Sequence, residues 1–95
     1  MRPFALPLVL LSIAFSASAA GAECYADYKA SRGGDPLELH YGVIRLNDAE
    51  CAAPAAAIAR RIGRDGWEML AFLGTFDETG AKQRQADAGA YFLRY

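Results

Sequence analysis

Cys24 and Cys51 restrict this chain more than any other pair of residues, because they are its only cysteines and can bond to each other in one way. What precedes them says which chemistry to expect. Met1-Arg2 is a short basic start, residues 4–15 are apolar apart from Pro7 and Ser12, and residues 16–22 are small. Ala17-Ser18-Ala19 and Ala20-Gly21-Ala22 both have the A-x-A form of a cleavage site. This layout predicts a secretory signal peptide over residues 1–22. The apolar run is shorter than the roughly 20 residues that cross a bilayer, so no stable membrane anchor is expected. Glu23 precedes Cys24 where a lipid-bearing cysteine would follow a small residue. The expected destination is the periplasm or the cell exterior, where thiols oxidise, and a Cys24–Cys51 disulfide follows. Closing that loop should add about 3–4 kcal/mol in the chain-entropy description. A redox-active pair would read C-x-x-C, and a metal site would need three or four ligands.

Residues 23–95 then form one small domain. A chain of this size buries only about 60% of its unfolded surface, so a covalent staple matters to it. Loss of Arg2 with the leader takes the net charge from −1 to −2, and nothing in that balance points to nucleic acid or an anionic membrane. The alanine and arginine content fits a bacterial source.

The periodicity gives the elements. Cys24, Ala26, Tyr28 and Ala30 alternate with Tyr25, Asp27 and Lys29, which predicts a half-buried strand. Residues 31–36 are turn formers apart from Arg32. Leu37, Leu39, Tyr41 and Val43 alternate with Glu38, His40 and Gly42, predicting a second strand antiparallel to the first. The pattern slips at Val43-Ile44, just after Gly42, which predicts a β-bulge there. Residues 47–51 read as a polar connector. Pro54 suits a first helical position, and Ala55, Ile58, Ala59 and Ile62 form the apolar stripe of a helix running from 54 to about 64. Arg60, Arg61 and Arg64 crowd its C-terminal end, where they complement the helix dipole.

Gly66 can take a positive φ and so stop that helix, and Trp67 follows as the largest side chain of the chain. Residues 67–76 are apolar on both sides of a strand, the pattern of a central or doubly covered one. Residues 77–89 are polar and read as a long loop, with room for a helical turn around 82–86. Residues 90–95 read as a last strand, docked so that its aromatic rings are not left in water. The expected fold is α+β: a four-stranded, mainly antiparallel sheet with one helix on one face, in the order β-β-α-β-β.

Three segments carry a family resemblance: Tyr25-Ala26-Asp27-Tyr28-Lys29, Gly66-Trp67-Glu68-Met69-Leu70, and Tyr91-Phe92-Leu93-Arg94-Tyr95. A tyrosine–lysine opening strand, a Gly-Trp-Glu corner after a helix and an aromatic basic ending resemble the small domains grouped as domain-of-unknown-function family 4177. The resemblance implies a small α+β domain and brings no activity, cofactor or site with it.

No catalytic set stands out. His40 is the only histidine, placed by alternation on the polar side of its strand, and no nucleophile or orienting acid is linked to it by spacing. There is no phosphate-binding glycine loop, G-x-S-x-G or H-E-x-x-H, and no cofactor is expected. Tyr25, Tyr41, Tyr91 and Tyr95 lie in expected strands and would suit a protein-contact surface on an open sheet face. The leading expectation is therefore a non-catalytic binding or accessory module with a protein partner, including a second copy of itself. The alternatives are a small enzyme or subunit using His40 and the 77–89 segment, and a weak metal or small-ligand carrier through the acids of that segment.

Overall fold

A computed structural model describes residues 24–95 of the chain; the expected leader, residues 1–22, lies outside them. Three strands form one antiparallel sheet in the order β2-β1-β3. They are β1 (Cys24–Arg32), β2 (Glu38–Leu46) and β3 (Glu68–Phe76). The β1–β2 connection turns through Gly33 at φ 76° and a cis Asp35–Pro36 peptide. Between β2 and β3 lie α1 (Asp48–Ala52) and α2 (Pro54–Gly63); after β3 come α3 (Glu78–Gln83), α4 (Gln85–Ala88) and a 3-10 turn, Gly89–Tyr91.

The chain crosses the sheet twice, once over each face. From β2 it passes over face one through α1 and α2 to the opposite edge, β3. Ala57, Ile58 and Ile62 of α2 pack there on Ala26, Tyr28, Ala30, Ile44 and Leu46, with Trp67 closing the corner. From β3 it returns over face two through α3 and α4, where Ala81 and Ala88 pack on Tyr25 and Val43. The return ends with Phe92 in a single parallel bridge to Val43 on the outer edge of β2, and Leu93 N–H donates to the Val43 carbonyl at 2.8 Å. One sheet edge is thus capped by the chain's own tail.

Several expectations are corrected. The sheet has three strands, and the order β-β-α-β-β is not observed. Residues 90–95 do not pair as a strand because Gly89 at φ 55° and Leu93 at φ 56° turn the chain on either side of Phe92. Residues 77–89 are helical, with the Asp77 carboxylate accepting from Gly80 N–H at 2.9 Å as an N-cap. The 47–51 connector holds α1, started by a capping box between Asn47 and Glu50. In α2 it is Ala57 rather than Ala59 that is buried.

The apolar-both-sides pattern of β3 has a different cause from the one expected. Pairing with β1 shifts register between Tyr28 and Asp27 and again between Lys29 and Ala30, leaving Leu73 and Leu70 as the extra residues of two bulges. Both are exposed, and β3 is an edge strand; the doubly covered central strand is β1. The β1–β2 ladder, by contrast, runs without a bulge. Val43 and Ile44 are both fully buried because each face of the sheet is covered at that level. Gly42 is where it is for the sake of Tyr28: a Cβ there would lie 2.5 Å from the Tyr28 hydroxyl and 2.6 Å from Cζ.

The Cys24–Cys51 disulfide is formed, with Cα atoms 6.2 Å apart. It joins the first residue of β1 to α1. Gly66 has φ 83°, the left-handed value expected of a residue that ends a helix.

Candidate functional site

The three segments that carry the family resemblance meet at one residue, His40. It is 9% exposed, so alternation misplaced it on a polar surface. Even-numbered residues of β2 face α2 and the Trp67 corner. The His40 ring stacks on Tyr91 with centroids 3.7 Å apart and planes 9° from parallel. Trp67 meets it edge-on at 4.2 Å. Tyr28, whose ring passes over Gly42, brings its hydroxyl to 2.9 Å from His40 Nε2, a hydrogen bond in which the hydroxyl donates when the imidazole proton is on Nδ1. Tyr95 lies further out on the same stack, at 6.3 Å.

Charged groups close the rim. The Arg32 guanidinium lies 4.2 Å above the Trp67 ring and donates to Glu38 at 2.9 Å and to the Asp65 carbonyl at 2.9 Å. The Tyr95 hydroxyl donates to Asp65 at 2.6 Å, which holds that carboxyl below its ordinary range. Arg61 donates to the Tyr95 main-chain oxygen at 2.6 Å, to the Arg45 carbonyl at 2.8 Å and to Glu50 at 2.9 Å. It therefore ties α2, β2, α1 and the tail together, a larger role than favourable charge at a helix end. Burial, reinforced by Arg32 and Arg94, lowers the pKa of His40, and burial raises the Tyr28 phenol. Both groups are thus neutral near pH 7.

This cluster joins β1, β2, the Trp67 corner and the tail. Nδ1 of His40 and Nε1 of Trp67 are the buried side-chain polar atoms without a hydrogen-bond partner among the described residues. Helices α3 and α4 pack with face-two residues, and the aromatic rings around the His40 ring are those of Tyr28, Trp67, Tyr91 and Tyr95. Among the described residues there is also no group of three His, Cys, Asp or Glu side chains placed to hold a metal ion.

The four tyrosines expected on one surface are divided. Tyr91 and Tyr95 belong to the His40 stack on face one. Tyr25, 5% exposed, sits under α3 and α4 on face two, and Tyr41 is half-buried beside it. The Tyr41 hydroxyl donates to Asp27 at 2.8 Å, and burial together with that carboxylate pushes its pKa up to about 12. Arg84 of the α3–α4 junction donates to the same carboxylate at 3.3 Å, which binds the helices to β1.

Face two is only half covered, because α3 and α4 are short. Beyond them lies an apolar groove of about 250 Å³ lined by Lys29, Ala30, Leu39, His40, Tyr41 and Leu70. Leu39 and Leu70 are 64% and 58% exposed. The register sets Lys29 between Tyr41 and Ala71, with Leu39 one step further along, opposite Ser31. Alternation put Leu39 on the buried side of β2, but the side that is covered is the one that carries His40, Gly42, Ile44 and Leu46. Leu70 reaches this face because it is a bulge residue. Comparisons with family models, with curated proteins and with solved structures returned no match. Among the described residues no helix is long and apolar enough to cross a membrane.

Proposed function

We propose that this chain is an exported, non-catalytic binding module that works through the uncovered half of face two. The observation that carries the reading is the groove between Leu39 and Leu70. Leu39 on β2 and Leu70 on β3 stand more than half exposed on either side of β1. An apolar concavity with a polar group at its margin is the usual form of a binding site. The disulfide supports passage to an oxidising compartment, as the composition of residues 1–22 does. Kinship with family 4177 is part of the same reading and adds no activity to it. The neutral dye N-phenyl-1-naphthylamine tests the site: the disulfide-bonded protein should bind it with enhanced fluorescence, and Leu39→Glu and Leu70→Glu should each abolish the signal. Equal dye binding by wild type and both variants would overturn the reading.

A further inference from the structure

The groove has a charge at one end as well as apolar walls, and that asymmetry says more about its occupant. Lys29 is exposed, and no carboxylate among the described residues lies within ion-pair distance of it. The nearest acid on its own strand face, Asp27, is already engaged by Arg84 and Tyr41. Along the sheet, Lys29 and its partner Tyr41 lie toward α3 and α4, Leu70 lies level with Lys29 and Ala30 on β3, and Leu39 lies toward the open end. Glu68, opposite Ser31, stands at that far end. An occupant with a negative head at Lys29 and an apolar body over Leu39 and Leu70 meets opposite charge at its head and keeps that head away from Glu68.

We propose that the groove binds a free medium-chain fatty acid, its carboxylate paired with Lys29 and its alkyl chain lying over Leu39 and Leu70. This deepens the binding reading above and rests on it. The groove, about 250 Å³ and open to solvent, accommodates part of an alkyl chain of medium length. Such a ligand leaves its tail end in solvent, as an open groove allows. Removal of methylenes from water supplies most of the affinity, and Lys29 the choice of head group.

Displacement of N-phenyl-1-naphthylamine from the disulfide-bonded protein tests the two readings separately. Decanoate, below the concentration at which it forms micelles, should displace the dye about threefold more effectively than decanol, the size that an exposed ion pair gives, and decyltrimethylammonium should be the weakest of the three. Measured against each variant's own dye affinity, Lys29→Met should remove the decanoate advantage over decanol, and Lys29→Glu should reverse it. Equal displacement by all three compounds, or an unchanged preference in Lys29→Met, overturns the fatty-acid proposal and leaves the groove standing. Displacement by an acidic leucine-rich peptide but not by decanoate also overturns it, in favour of a protein segment. Loss of dye binding on concentration-dependent self-association, followed by sedimentation, overturns it in favour of a second copy. Failure of the dye to bind at any concentration overturns both readings.

Discussion

Gly42 offers a sharp test of how the Tyr28–His40 joint is built. A methyl group at Gly42 would stand 2.5 Å from the Tyr28 hydroxyl, 2.6 Å from Cζ and 2.8 Å from Cε1, far inside contact distance. Tyr28 is 1% exposed and cannot swing into solvent. Gly42→Ala must therefore displace a buried ring and lengthen the 2.9 Å bond to His40. Overpacking of this kind costs about 1–3 kcal/mol, and loss of the hydrogen bond about 1 kcal/mol more. Against this, replacing a strand glycine lowers the entropy of the unfolded chain and returns about 0.4–1 kcal/mol. The net is a loss of about 2–3 kcal/mol, which in a domain of this size lowers Tm by roughly 10–20 °C. Gly74 supplies the control. It lies on β3 opposite Asp27, and a methyl there meets nothing within 4 Å. Gly74→Ala should be neutral or stabilising by about 0.5 kcal/mol. Equilibrium urea unfolding of the oxidised protein, followed by Trp67 fluorescence, measures both. The account of the joint fails if Gly42→Ala costs less than about 1 kcal/mol, or if the two alanine variants are destabilised alike.

Acid should weaken the same joint. Burial and the neighbouring Arg32 and Arg94 hold the folded-state pKa of His40 below its ordinary 6.5, so the unfolded chain binds the proton more readily and stability falls as pH drops through that value. The loss begins near pH 6.5 and is complete below the folded-state pKa; unfolding midpoints between pH 7.5 and 5 should show it, and His40→Phe should remove this component from the pH profile. Reduction of Cys24–Cys51, or the double variant Cys24→Ser/Cys51→Ser, should cost about 3.6 kcal/mol for the loop of 27 residues that the bond closes. A change below about 1 kcal/mol in the urea midpoint analysis would show that the unfolded chain is already confined by other means.

What was legible in the sequence follows the reach of each signal. The strands β1 and β2, the helix from Pro54, the stop at Gly66 and the disulfide rest on local pattern or on a pairing with one solution, and they were readable. The short helices α1 and α3 were readable in principle as well, since Asn47-Asp48-Ala49-Glu50 has capping-box spacing and Asp77 is a good N-cap ahead of Gly80. What misled was burial on both sides. Val43-Ile44 and residues 67–76 look alike in composition, yet one is covered on two faces and the other is an edge strand with two bulges. Hydrophobicity reports that a side chain leaves water on average; it does not report which neighbour covers it. His40 failed for a related reason. Its place in an alternating strand made it polar by kind, while four aromatic rings from three distant segments made it core by contact.

That division of the sheet also separates what stabilises this domain from what it offers to a ligand. Face one holds α2, the His40 stack and the Arg61 junction, so a substitution there acts on folding first. The open half of face two contributes little to folding, because Leu39 and Leu70 keep more than half of their surface in water. Truncating residues so exposed generally shifts stability by no more than about 0.5 kcal/mol. Polar residues at both positions would cost the fold little, and exposed leucines on edge strands invite aggregation. Leu39 and Leu70 are therefore the positions at which the groove can be changed while the fold is left intact.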